Sequence, residues 1–345
     1  MRNFLLIMFV VLTAVSCTNI AVSNLLNVTR TTENALPDGP RSSAVSFVIG
    51  DTAYVTLGRK VSDVFAHEVF ANDSAHGTEC YVFFENENRW ELRTHFPGVG
   101  RVNALANVIN DKAYVGLGYY PGRGVYVESD KTYLRDFWMY DPNANAWTRK
   151  ADFPSAYSNK CIHFVYDDML YVGFGFNGYG FNNEMWVYSP DEDKWTKLKN
   201  APFNGRAGAV ASADDYKMFV GTGYSTFNNN DWWEYEPEDD MWIKRKNMPC
   251  NGRVNAVGFT LGDNYFVATG RYFAGTLTGG KTKNDILMYD AANNKWTAIN
   301  ALRNGARENA IAFRLGDNVY VGLGENDTDL LNDFYLIQIN EYIEQ

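Results

Sequence analysis

The sequence predicts an all-β protein: a six-bladed β-propeller with four antiparallel strands per blade, the last blade closed by an N-terminal strand. Three observations predict it. An aromatic-Val-x-x-Gly string recurs six times, at Tyr54–Gly58, Tyr114–Gly118, Tyr171–Gly175, Phe219–Gly223, Phe266–Gly270 and Tyr320–Gly324. The mean spacing is about 53 residues, within the range of stacked or radially arranged repeats. Trp90, Trp147, Trp195, Trp242 and Trp296 each precede the next string by 24 residues. Only the segment after each glycine varies, from 19 residues between Gly223 and Trp242 to 32 between Gly58 and Trp90.

Constant intervals mark paired strands, because one inserted residue turns every side chain to the wrong face. The variable segment is a loop, which tolerates length change. In each unit the first strand follows a proline and the second holds the glycine string. The third resembles Asp136–Asp141 and carries an aromatic seven residues before the tryptophan: Phe83, Tyr140, Tyr188, Tyr235 or Tyr289. Turn formers such as Asp141–Asn145 and Ser189–Asp193 then lead into the fourth strand, near the tryptophan. The blades fall at about 41–96, 101–153, 158–201, 206–248, 253–302 and 307–340. In the last unit Ile337 takes the aromatic position, which puts a sixth tryptophan position at 344. Pro37 precedes Tyr54 by 17 residues, as Pro97 precedes Tyr114. Counting back seven from Pro37 places Arg30 in tryptophan register, so residues 28–36 are expected to complete the sixth blade and cover its edge.

As a set, these strings, tryptophans and aromatics resemble the Kelch family of six-bladed propellers, over essentially everything after residue 27. The sequence departs from that family's pattern in one way. The usual glycine pair after the second strand is reduced to a single glycine.

Composition narrows the class. Aromatics make up 15% of 345 residues, far from a solvated disordered chain. Net charge is −10, from 31 basic and 41 acidic residues, which repels phosphate and argues against a nucleic-acid partner. Arg2 followed by the apolar run Phe4–Val15 reads as a secretory signal covering 1–16, too short for the roughly twenty residues of a membrane span. Leu12–Cys17 resembles the lipobox of bacterial lipoproteins. That resemblance implies lipidation of Cys17, a short tether over 17–26, and an exported, membrane-anchored protein facing the periplasm or cell surface of a bacterium. Its lipid partner would be reached through Cys17. Cys80, Cys161 and Cys250 show no CxxC or zinc spacing and are expected as small buried hydrophobes.

Alternating strand direction brings the variable loops and the proline loops to one end, the expected binding face. Four residues after the proline register stand Arg41, Arg101, Arg206, Arg253 and Arg307; blade 3 has Ser158 instead, with Lys160 two residues on. These are expected near the channel mouth as a collar of guanidinium groups able to bind carboxylate or sulfate. Two positions further come Asn103, Asn255 and Asn309. Directly after the glycines come Arg59, Tyr119, Phe176, Tyr224, Arg271 and Glu325, a second ring able to stack on sugars or bond hydroxyls. The alternative for each arginine is pairing with acidic groups of a neighbouring blade.

Catalytic motifs are weak. The Kelch-type galactose oxidase binds copper with paired histidines, but His67, His76, His95 and His163 lack ligand-like spacing. His67, His76 and Asp73 read better as a solvated loop than as a metal site, and no metal or cofactor is expected. Gly173–Gly178 fits GxGxxG and Gly275–Thr282 fits the phosphate-loop string, but strands are expected after both, where phosphate binding needs a helix N-terminus. Three functions stay open, all for a monomer. One is a module binding an acidic or polar glycan. Another is an envelope scaffold docking a protein. The third is a sugar mutarotase resembling N-acetylneuraminate epimerases, with Glu308 or Glu325 as acid–base group.

Overall fold

The structure, a computed structural model, describes residues 22–23, 25–31, 34–60, 76–120, 132–274, 279–299 and 301–340. Six four-stranded antiparallel blades are arranged in sequence. Blade 1 is Val45–Ile49, Thr52–Thr56, Glu79–Phe84 and Arg89–His95. Blade 2 is Leu105–Ile109, Lys112–Gly116, Phe137–Asp141 and Ala146–Lys150. Blade 3 is Ile162–Tyr166, Met169–Gly173, Met185–Ser189 and Lys194–Lys197. Blade 4 is Ala207–Ala213, Met218–Tyr224, Trp232–Glu236 and Met241–Arg245. Blade 5 is Val257–Leu261, Asn264–Ala268, Ile286–Asp290 and Lys295–Ile299. Blade 6 joins Ile311–Leu315, Asn318–Gly322 and Phe334–Ile339 to the N-terminal strand Leu26–Thr31.

The N-terminal strand is in a different register from the expected one. Val28, not Arg30, lies opposite Ile337, while Arg30 faces Tyr335. Each tryptophan elsewhere lies opposite its aromatic, as Trp147 does Tyr140. The connection from the tryptophan position to the proline is therefore two residues longer here than in blades 1 to 4, which defeats a count from Pro37.

The apolar core divides into one cluster per seam between adjacent blades. The repeated aromatics fill these seams. Phe137 of blade 2 packs on Tyr188 and Trp195 of blade 3, with ring centroids 5.1 and 5.3 Å apart. Trp195 Nε1 donates to Ala151 O of blade 2 at 2.9 Å, and Trp296 Nε1 to Lys246 O of blade 4 at 2.8 Å. Edge-to-face contacts of this kind add to simple burial, and the indole N–H is satisfied across the seam. Below the aromatics, Tyr188 Oη donates to the turn residue Asp193, whose Oδ1 also accepts from the Ala151 amide.

A second set of bonds ties the blades together nearer the axis. Each string glycine donates its amide to the next blade's carbonyl at the arginine offset: Gly58 to Arg101, Gly118 to Ser158, Gly175 to Arg206, Gly223 to Arg253, Gly270 to Arg307 and Gly324 to Arg41, at 2.7–2.9 Å. The last bond joins blade 6 to blade 1. Glycine is needed there. Gly324 has φ +84 and its missing Cβ would lie 2.4 Å from Glu308 O. The preceding residue is also left-handed, though it carries a side chain: φ is +58 at Leu117, +64 at Phe174 and +55 at Leu323, all almost fully buried. This is the place where the Kelch pattern has its second glycine. Here seam packing of the side chain offsets the cost of the left-handed conformation, roughly 1–2 kcal/mol per residue.

Candidate functional site

The arginines do not form a collar. Arg41, Arg101, Arg206, Arg253 and Arg307 are buried, at 0–1% exposure, and each guanidinium is held inside its own blade. Arg101 shows the pattern. Nη1 donates to Leu117 O at 3.1 Å and to Asp136 Oδ1 at 2.6 Å, Nη2 to Asp136 Oδ2 at 2.9 Å, and Nε to Val99 O at 3.0 Å. Arg206 and Arg253 repeat it with Asp231 and Asp285, and Arg307 with Asp333. Arg41 pairs with Asp38 and Glu79, which Lys60 also bridges. The guanidinium's fixed fork ties the carbonyl before the string glycine to the acid that heads the third strand. Burial works against the ionised forms of Asp136 and Asp231, but Arg101 and Arg206 hold both carboxyls below the usual range. The expected exposed cationic collar is thus corrected, as is pairing with a neighbouring blade. Blade 3, with Ser158 at this offset, has Glu184 as its third-strand acid, which takes Ser155 Oγ and the Lys197 ammonium instead.

The residues that do surround the axis stand two positions further on. Ser43, Asn103, Lys160, Gly208, Asn255 and Asn309 all have φ between +52 and +62. Asparagine and glycine tolerate that region best, which explains their frequency here. Their backbones run around the axis: Ser43 N–H donates to Asn309 O, Asn103 to Ser43 O, Gly208 to Lys160 O, Asn255 to Gly208 O and Asn309 to Asn255 O, at 2.9–3.2 Å. With the next residues, Ala44, Ala104, Cys161, Ala209, Ala256 and Ala310, they line an axial recess of about 130 Å³. That is below the range of about 300–1,000 Å³ usual for drug-sized ligands, so the recess by itself encloses little of a ligand. Cys161 lines it and is only partly buried, a correction to its expected place in the core; Cys80 and Cys250 are buried. Burial raises the thiols of Cys80 and Cys161 to about 12.

The second ring splits into two halves. On one side Arg59 pairs with Glu325, and Arg271 with Glu308 and Asp327. Asn309 Nδ2 and Ser42 Oγ donate to Glu325 Oε1, both at 2.8 Å, and Asn255 Nδ2 to Glu308 Oε2 at 2.7 Å. On the other side the rings form a continuous arc. Tyr119 meets Tyr133 at 5.3 Å, Tyr133 meets Phe176 at 6.2 Å, Phe176 meets Phe181 at 5.1 Å, Phe181 meets Tyr224 at 5.9 Å, and Tyr224 meets Phe273 at 4.7 Å. All six are partly exposed. Burial raises the Tyr133 phenol to about 12, so it stays a neutral donor.

The structure therefore brings together Asn255, Arg271 and Glu308, and separately Asn309, Arg59 and Glu325. It places Tyr119, Phe176 and Tyr224 in the arc. Asn103 sits on the axis with Nδ2 on Asn159 Oδ1 at 2.9 Å. Tyr133, Phe181 and Phe273 escape a sequence reading, because they come from segments of variable length with no fixed offset. Lys160 shares the offset of Asn103, Asn255 and Asn309, and that signal was present. Cys17, His67, Asp73 and the leader lie outside the described residues. Of the phosphate-loop string, Gly280–Thr282 is a short strand paired with Arg271–Phe273. The GxGxxG string leads into the strand Met185–Ser189.

No curated protein matches the chain. Among solved structures 849 chains match, so likeness of fold by itself singles out no ligand. One is the structure of YjhT, with a TM-score of 0.73 and 19% identity, covering 89% of this chain and 97% of that one. The family model described as the Attractin/LZTR1 β-propeller matches residues 71–335. With six Kelch-type units closed into one ring, the chain belongs to the Attractin/LZTR1 β-propeller family.

Proposed function

We propose that this propeller is an exported, lipid-anchored module that binds a polar glycan, acidic or neutral, on its loop face. One observation carries the reading: the aromatic arc from Tyr119 to Phe273 stands directly outside an axial ring of amides, beside paired arginines and glutamates. Sugars present an apolar ring face and polar edges. Aromatic faces cover the first, and Asn side chains offer both donors and acceptors to the second. The leader and lipobox of the sequence support delivery to the envelope, where glycans are exposed. Calorimetry against a panel of uronate-containing and neutral glycosides tests it. Saturable heat that Phe176→Ala and Tyr224→Ala reduce about tenfold or more is expected. Heat that is absent for every sugar, or indifferent to both variants, overturns it.

A second reading has its own support. Tyr179 is 92% exposed and Phe227 53% exposed on the loops of blades 3 and 4. Bare aromatics at the rim of a face suit a protein partner. Retention of an envelope protein by the wild type, lost in a Tyr179→Ser/Phe227→Ser variant that still binds sugar, would favour the scaffold.

A further inference from the structure

Five of the six axial positions are uncharged: Ser43, Asn103, Gly208, Asn255 and Asn309. The sixth is Lys160. Its side chain reaches from blade 3 to blade 5, where Nζ donates to Asn255 Oδ1 at 2.7 Å. An ammonium has three hydrogens, and this bond uses one. Arg59 is ion-paired with Glu325 and Arg271 with Glu308 and Asp327, whereas Lys160 makes no ion pair with a carboxylate among the described residues. The one charged member of the axial ring, held by a neutral amide, is the group there that suits a ligand carboxylate.

Besides the six axial residues the recess is lined by five alanines and Cys161, so the Lys160 ammonium is the one charged group in its lining. The recess, about 130 Å³, has room for a carboxylate. A ring held above it lies against the aromatic arc, because Tyr119 is bridged to Val102, the residue next to axial Asn103, and Phe176 to Asn159, the residue next to Lys160.

We propose that Lys160 anchors one carboxylate of the ligand at the propeller axis, which makes the preferred ligand a glycan carrying a uronic acid residue. This rests on the glycan reading above and names the charge that the site selects. Burial lowers the Lys160 ammonium from the usual lysine range, and the charges of Glu308 and Glu325 oppose that shift. The preference for the acid is therefore expected to fade at alkaline pH before an exposed lysine would lose its charge.

The test uses the full chain and two probes that differ only at C6, methyl β-glucuronide and methyl β-glucoside. The variant is Lys160→Asn, which copies the residue that Asn103, Asn255 and Asn309 place at this offset and so keeps the fold. Wild type is expected to bind the glucuronide about tenfold more tightly than the glucoside, the gap between a charge-assisted and a neutral hydrogen bond. Lys160→Asn is expected to erase that gap by weakening the glucuronide about tenfold, with a smaller change for the glucoside. Phe176→Ala is expected to weaken both sugars equally. Equal binding of the two sugars by wild type, or a gap that survives Lys160→Asn, overturns the assignment and leaves the glycan reading standing. Wild type binding neither sugar overturns the assignment, and the glycan reading falls with it when the wider panel is silent too.

Discussion

The amide of Gly324 in blade 6 donates to the carbonyl of Arg41 in blade 1 at 2.7 Å, which closes a cycle of six equivalent bonds. The same seam is closed at the rim by Leu26–Thr31 pairing with Phe334–Ile339. Two interactions far apart in sequence thus hold one junction, and the axial site exists only while that junction is shut.

The packing of the N-terminal strand that completes the ring can be measured by variants on its two faces. Leu26 is 1% exposed in the cluster between blades 5 and 6, whereas its neighbour Asn27 is exposed. Leu26→Ala is expected to cost about 2–5 kcal/mol in urea unfolding. Asn27→Ala is expected to stay within about 0.5 kcal/mol. Equal effects would mean that the N-terminal strand does not pack as described.

The buried ion pairs give a second prediction. Asp231→Asn leaves Arg206 buried without its countercharge and is expected to cost about 3–5 kcal/mol. The double variant Arg206→Met/Asp231→Leu is expected to recover part of that loss, since an apolar pair of similar volume often replaces a buried ion pair at little cost. Glycoside affinity of the double variant is expected to equal wild type, because the guanidinium faces Thr222 O and Asp231 and not the mouth. A fall in affinity without a fall in stability would return this arginine to the binding site.

The contrast between what the sequence shows and what it hides has a physical basis. Strand pairing is periodic, so the tryptophans, the glycine strings and the blade order are legible as fixed offsets. The arginine offset is equally regular, yet it misled. Regularity shows only that a residue does the same work in every blade, and that work is tying the third strand's acid to the carbonyl beside the string glycine. The irregular blade was the better guide. Where Ser158 replaces arginine, Lys160 puts the one charge on the axis. The arc through Tyr133, Phe181 and Phe273 stays hidden because loop length decides where those rings land.

Two titrations separate in pH. His163 lines blade 3 with Nδ1 2.8 Å from Asn107 Nδ2, and burial lowers its imidazole to about 4. The unfolded chain takes up a proton near 6.5, which the folded form refuses. This stability is complete above about 6.5 and is lost as pH falls toward 4. Burial works against ionised Glu79, yet the hydrogen bonds from Lys60 and from its own amide, with the charge of Arg41, hold its carboxyl at about 2. That contribution is present above about 4.5 and is lost as pH falls toward 2. Thermal melts are expected to show both slopes. His163→Ser, which copies Ser46 of blade 1, is expected to flatten the upper one and leave the lower. An unchanged upper slope would place a proton on another group.

The central claim is that ligand is held at the axial mouth of the loop face. A crystal structure of the full chain grown with methyl β-glucuronide measures this most directly. The account predicts the carboxylate beside Lys160 Nζ and the sugar ring against Tyr119, Phe176 or Tyr224. Sugar bound at the opposite hairpin face, or on the outer edge of a blade with the mouth empty, would contradict it.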